Sequence, residues 1–211
     1  MSHADAAGGG SPSPDSGSSR PRPLEGRSIA VFGSSEPQAG TPEYEDARRL
    51  GQLLAEAGAR VVNGGYGGVM EATSRGARER GGRALGVTGS FFEGRSPNAY
   101  LSDVRPSADL FERTRLLIEF SDAFIILPGK SGTIAELAAL WALDRAGLLG
   151  ERPVILCGPA WPGLIEAIAR AGALEPAQRR ISRLCRTVEE SVESLVRTGQ
   201  NRGRGQEWDR T

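Results

Sequence analysis

A chain of 211 residues suffices for one full-sized core and falls short of two large domains, and its 26 basic and 26 acidic residues cancel. It therefore lacks the broad positive field that draws nucleic acids or membrane surfaces, and neither is expected as a partner. One histidine, His3, excludes most His-based triads and zinc sites, so no metal and no cofactor are expected; two cysteines without a signal-peptide core or a membrane-length apolar run point to a cytoplasmic protein.

Residues 1–26 hold Ser, Gly, Pro, Ala and scattered charges, with Leu24 the only large aliphatic after Met1. Such a segment cannot offset its own ordering entropy and reads as a disordered tail, as do residues 199–211. The folded unit is expected over 27–198, as a single domain. Ser28 to Phe32 is an apolar run closed by Gly33, the mark of a strand buried on both faces. Thr41 and Pro42 then open a helix whose apolar positions Ala47, Leu50, Leu53, Leu54 and Ala57 lead to a stop at Gly58. A second strand runs from Arg60 to Asn63, and a helix from Val69 to Arg80 carries small residues on one side. Ala84–Thr88, Asp122–Leu127 and Pro153–Cys157 read as further strands, separated by a loop and helices. Trp161–Ala171 and Thr187–Arg197 are the late helices. This alternation implies right-handed crossovers and an α/β, Rossmann-like fold, an open parallel sheet with helices on both faces.

Ligands of such sheets bind beyond the carboxyl ends of the strands. The segments there are Gly33-Ser34-Ser35-Glu36, Gly64 to Met70, the long connection Gly89 to Ser107, and Pro128 to Thr133. Gly65-Tyr66-Gly67-Gly68-Val69-Met70 begins like a dinucleotide fingerprint but has Met70 in place of the third glycine and lacks the acidic residue that would hold a ribose. Gly129-Lys130-Ser131 mimics the end of a nucleotide-hydrolase phosphate loop, yet Phe124 stands where the leading glycine belongs. Two glycine-rich turns on one sheet edge still favour a phosphate-bearing ligand, since each exposes backbone N–H groups. The candidate ligand-binding residues are Gly33, Ser34, Ser35, Gly64, Gly65, Gly67, Gly68 and Met70, with Gly129, Lys130, Ser131, Gly132 and Thr133 on the later turn.

Three positions have competing readings. In a helix over Ala108–Phe120, Leu110, Arg113, Leu117 and Phe120 share one stripe, so Arg113 faces the core side and needs a partner such as Glu136 or a phosphate. Alternatively its stem packs and its head reaches solvent. Thr133-Ile134-Ala135-Glu136 fits both a capping box and an acid side chain serving a ligand, and Thr187-Val188-Glu189-Glu190 shows the same pattern without a glycine loop. Lys130, the only lysine in the chain, either contacts a ligand phosphate or is an exposed loop residue. In the long connection, Phe91, Phe92 and Tyr100 could stack on a base or pin the loop, and Glu93, Arg95 and Asn98 could add polar contacts.

Pro128-Gly129-Lys130-Ser131-Gly132-Thr133-Ile134-Ala135-Glu136 resembles the PGGxGTxxE signature of the LOG (Lonely Guy) family, often mislabelled lysine decarboxylase. Phe111-Glu112-Arg113 resembles that family's arginine-bearing helix, and Asn63 to Glu71 its earlier glycine loop. The departures are Lys130 at the signature's second glycine, Ser131 after it, and Thr114 at a position commonly lysine. The resemblance implies a metal-free, usually dimeric Rossmann-like protein that hydrolyses the N-glycosidic bond of a nucleoside 5′-monophosphate, of the AMP or cytokinin nucleotide type, to free base and ribose 5-phosphate. It further implies Arg113 and Glu136 as the catalytic pair. A non-catalytic nucleotide-binding or sensor protein of the same fold is the alternative, and base transfer between sugars a further one. The helix Thr133–Gly147 is apolar on two sides, with Ile134, Leu137, Ala138 and Trp141 on one and Leu140 and Leu143 on the other, which suits burial against the sheet and a homodimer partner.

Overall fold

Alternate residues of the first strand serve two different cores, which is why it has no polar face. In the computed structural model, which describes residues 22–92 and 94–201, β1 (Ser28–Phe32) sends Ile29 and Val31 to one helical layer and Ala30 and Phe32 to the other. After it come α1 (Pro42–Glu56), β2 (Arg60–Asn63), α2 (Val69–Glu79), β3 (Ala84–Gly89), β4 (Asp103–Ser107) and α3 (Leu110–Glu119). The chain continues with β5 (Ala123–Ile126), α4 (Ser131–Arg145), β6 (Val154–Cys157), α5 (Trp161–Arg170), α6 (Pro176–Ile181), β7 (Ser182–Cys185) and α7 (Val188–Asn201). All pairings are parallel, in the order β4-β3-β2-β1-β5-β6-β7. Helices α1, α2 and α7 cover one face through Leu50, Ala72 and Leu195, and α3, α4 and α5 cover the other through Leu117, Leu137 and Ile165. The chain thus forms the expected single α/β domain of Rossmann-like type.

Side chains staple the layers where the backbone changes direction. Asp122, fully buried, accepts from the Ser28 N–H at 2.8 Å and so ties the entry of β5 to the entry of β1. Thr41 caps α1 by accepting from the Tyr44 N–H, with Pro42 at its first position, as the sequence predicts.

The structure departs from the sequence reading at the sheet edges and the chain ends. Strand β4 occupies part of the segment read as a long connection, and α6 and β7 were not expected at all. Both strands are edges: β4 carries Arg105 and Pro106 outward, and β7 buries only its two end residues. At the start of the chain, residues 22–26 do not belong to a disordered tail. Leu24 is buried in the core and its N–H donates to the Ala57 carbonyl at 2.8 Å, because that one aliphatic side chain is enough to anchor the turn. At the other end, α7 runs on through Gly199 to Asn201, into the segment read as a tail. The remaining tail residues, 1–21 and 202–211, together with His3 and Glu93, lie outside the described residues. Among the described residues, no helix is long and apolar enough to cross a membrane, and no group of three or more His, Cys, Asp or Glu residues could hold a metal ion.

Candidate functional site

Sheet order places the site. The chain moves outward from β1 through β2, β3 and β4, then returns to lay β5 on the other side of β1. The turns leaving β1 and β5 go to opposite faces, α1 to one and α4 to the other, which opens a crevice at their carboxyl ends. Across that crevice the Ser34 N–H donates to the Pro128 carbonyl at 3.2 Å. Glycine is needed here for close approach: a Cβ on Gly129 would collide with the Thr133 Oγ1 and press on the Gly33 backbone, and one on Gly33 would meet Val69 at 2.8 Å.

A cavity of about 210 Å³ lies in the crevice, with Ser34, Ser35, Ser131, Gly132 and Thr133 at one end and Arg113 and Glu136 in its wall. Helix α4 begins at Ser131 and no side chain caps it. Its first-turn amides belong to residues that line the cavity, and the helix dipole adds partial positive charge there. Such an end is an anion cradle. Because the helix starts at Ser131, Thr133 is its third residue and not its cap, so the capping-box reading of Thr133 and Glu136 does not hold. The same pattern at Thr187 does cap α7: the Glu190 N–H donates to Thr187 Oγ1 at 3.2 Å, and Glu190 Oε2 accepts from the Arg186 N–H at 2.7 Å. Glu136, freed from that task, is half-buried in the cavity wall. Burial pushes its carboxyl up to about 7, and the Arg113 guanidinium holds back part of that rise.

Arg113 is only 7% exposed. Its Nε donates to the Val87 carbonyl at 2.9 Å and its Nη2 to the Gly64 carbonyl at 3.0 Å. The guanidinium also stands 5.2 Å from the Phe92 ring centroid and 5.8 Å from that of Tyr66. Burial lowers its pKa and Glu136 opposes that, but an arginine so held stays charged. Of the stripe that predicted this inward arginine, Leu117 is buried, whereas Leu110 is exposed at the start of α3.

The earlier glycine loop enters this wall only through Tyr66 and Met70. Met70 lines the cavity; Gly64, Gly65, Gly67 and Gly68 do not, and Gly129 lines a neighbouring cavity. Two of its amides bond within the protein: the Gly65 N–H donates to Asn63 Oδ1 at 2.9 Å, and the Val69 N–H to the Ser34 carbonyl at 2.9 Å. Its glycines serve packing. A Cβ on Gly64 would collide with the Arg113 Nη2, and Gly68, at φ +68°, presses against the Ser34 and Ser35 backbone. The start of α4 thus gives the cavity Ser131, Gly132 and Thr133, and the earlier loop gives it Tyr66 and Met70.

In the connection after β3, Phe92 and Arg95 reach the cavity, while Phe91 and Tyr100 do not line it. Asn98 pins the glycine loop instead, donating from its N–H to the Gly65 carbonyl at 2.8 Å and from Nδ2 to the Tyr66 carbonyl at 3.0 Å. Two lining residues lie in segments read as ligand-facing but were not among the candidate residues. Tyr66 sits edge-on to Phe92 with its hydroxyl bonded to the Gly89 backbone, and Glu36 pairs with Lys130 at 2.5 Å. A tyrosine inside a glycine run was a signal available for the first; the second ends the turn after β1, but nothing local marks its pairing with Lys130.

Three comparisons bear on the family and the fold. A family model described as the SLOG cluster4 family matches residues 26–156. A cytokinin riboside 5′-monophosphate phosphoribohydrolase from Rhodococcoides fascians is 30% identical over 187 residues, 85% of this chain and 93% of that protein. An uncharacterized protein from Archaeoglobus fulgidus is 36% identical over 132 residues, 62% of this chain and 83% of that protein. The crystal structure of TM1055 superposes with a TM-score of 0.65 at 31% identity, covering 81% of this chain and 99% of that one. The molybdenum cofactor carrier protein of Chlamydomonas reinhardtii, at 19% identity and a TM-score of 0.63, shares the fold.

Proposed function

Since the chain belongs to the SLOG cluster4 family, we propose that it hydrolyses the N-glycosidic bond of a nucleoside 5′-monophosphate. One observation carries this reading: a glutamate with a carboxyl raised to about 7 shares a cavity with the uncapped start of α4. Glu136 follows Ser131 by five residues, so it lies about 7.5 Å further along the helix axis. That offset is comparable with the reach of a ribose from its 5′-phosphate to C1′. The phosphate rests on the Ser131, Gly132 and Thr133 amides, and C1′ comes to Glu136. As the C1′–N bond breaks, the sugar gains oxocarbenium character, and the Glu136 carboxylate stabilises that charge and orients the attacking water. Water adds to C1′, the base leaves and takes up a proton, and ribose 5-phosphate remains. Arg113, tied to two carbonyls, fixes the wall and the charge of Glu136; its pKa makes it no proton donor. Relatives named as cytokinin riboside 5′-monophosphate phosphoribohydrolases support the reaction class.

To test it, the protein is incubated with AMP and a panel of other monophosphates, and free base is followed by chromatography. Base release that disappears in Glu136→Gln is the expected result. Tight binding with no release across the panel would instead make the protein a nucleotide sensor.

The same reading includes a homodimer and a cytoplasmic location, where the two free, buried thiols of Cys157 and Cys185 stay reduced. Leu140 and Leu143, the expected partner-facing side of α4, pack against the chain's own core, so the partner surface lies elsewhere. Phe111 at the start of α3, 87% exposed, and the exposed Ala135, Ala138 and Ala142 along α4 are its best candidates, on the face of the sheet that holds the site.

A further inference from the structure

A second, larger cavity of about 860 Å³ adjoins the first. The two share Ser34, Glu36 and Lys130, so the Lys130–Glu36 ion pair is the ridge between them. Both partners of that pair are well exposed, and an exposed pair stabilises little, so a ligand can displace it easily. The larger cavity has an apolar floor from Val69, Leu127 and Val188, and its size falls in the range of small-molecule sites, roughly 300–1,000 Å³. The smaller cavity falls below that range.

Direction follows from the placement of α4. Passing from Phe92 through Glu136 to Ser131 leads from base to sugar to phosphate in the reading proposed above, and the next step is over Lys130 into the larger cavity. Its wall carries Glu36, Glu43, Asp46 and Glu189 against Lys130 and Arg186, an excess of carboxylates. Burial first, and then the Glu189 and Glu43 carboxylates, raise the Asp46 carboxyl. A second terminal phosphate would be repelled there. A neutral group rich in hydroxyls would be welcomed, because carboxylates accept hydrogen bonds from hydroxyls and the floor takes the face of a sugar ring.

We propose that the larger cavity receives a sugar borne on the far side of the ligand's phosphate, so that the full ligand is a nucleotide sugar joined through a diphosphate. The inference rests on the monophosphate reading and extends its ligand class. Lys130 then meets the bridging phosphates once Glu36 has released it.

The test compares AMP, ADP and ADP-ribose by titration calorimetry on the Glu136→Gln background, where turnover does not consume the ligand. ADP-ribose is expected to bind about tenfold tighter than AMP, the gain of one or two net hydrogen bonds, and tighter than ADP. Gln38→Trp, which fills the larger cavity from an exposed position, and Asp46→Ala, which removes an acceptor, should each erase that gain and leave AMP affinity unchanged. ADP-ribose binding no tighter than AMP, ADP binding tightest, or a gain that survives both substitutions would overturn the inference. AMP bound and cleaved with no gain for ADP-ribose leaves the monophosphate reading standing alone. ADP-ribose bound with a gain lost in both variants, but AMP never cleaved by the unmodified protein, removes the hydrolytic reading and keeps the cavity's occupant.

Discussion

Arg113 and Gly64 act as one unit, because a guanidinium that donates to the Gly64 carbonyl occupies the space a side chain would need at that residue. Gly64→Ala is therefore expected to push the arginine off its carbonyls and to lower kcat/KM for base release by about 100-fold or more, as misplacing a positioned charge does. Steady-state kinetics beside a thermal melt checks this; full activity would mean that the position of Arg113 is irrelevant. Glu136 gives a prediction with a definite sign. Its carboxyl rises from 4.5 to about 7 on folding, so between those values the folded chain holds a proton the unfolded chain has released. Stability consequently falls as pH climbs from about 4.5 to about 7 and levels off above. Glu136→Gln removes that slope, and urea unfolding at pH 8 should find the variant more stable by on the order of 2 kcal/mol, with little difference at pH 4. Activity of the unmodified protein should rise with its midpoint near pH 7, the folded-state value, since the ionised carboxylate is the working form.

At the scale of elements, what could be read from the sequence depended on burial. β1, β2, β3, β5 and β6 are inner strands with two buried faces, and apolar runs such as Ile29–Phe32, Ala123–Ile126 and Val154–Cys157 announce them. β4 and β7 are short edges whose Arg105, Pro106 and Arg183 read as loop, since an edge needs only one side of its ladder and gains from charge on the other. The candidate site divides in the same way. Glycine turns and the inward arginine follow from local spacing, whereas the Lys130–Glu36 pair joins residues 94 positions apart and leaves no local trace. The anion cradle was legible as a glycine turn, but the acceptors that Asn63 and Ser34 offer to the Gly65 and Val69 amides follow from the fold. Glycine also sets the approach of α1 to α2: a Cβ on Gly76 would strike the Arg48 carbonyl, and one on Gly51 the Thr73 carbonyl. Gly76→Ala should destabilise by about 1–3 kcal/mol through overpacking, read as a lower Tm. Because that contact lies on the face away from the cavity, kcat/KM of the folded fraction should not move; a change in kinetics would imply that α2 transmits strain through Met70.

For the whole molecule, one sheet with a single reversal of strand order brings Arg113, Glu136 and the start of α4 to one crevice, and the same layering decides where a second copy can dock. The α1, α2 and α7 face is closed by ion pairs such as Arg48–Glu79 and Arg49–Glu189 on its outside. The opposite face exposes Phe111 beside Leu110, and a bare phenylalanine at a helix start has no role in the chain's own core. Isologous docking through α3 and α4 would bury that ring against its symmetry mate or against the alanines of α4. Sedimentation equilibrium at micromolar concentration should give a dimer for the unmodified chain and a monomer for Phe111→Glu, because burying that carboxylate in an apolar seam is costly. Cavity residues such as Arg113 sit on the same α3 helix, so the monomer should also lose affinity for AMP if the partner supports that helix, while its Tm in dilute solution stays near that of the dissociated wild type. A dimer that survives the substitution would move the interface to the exposed Leu148 region beyond α4.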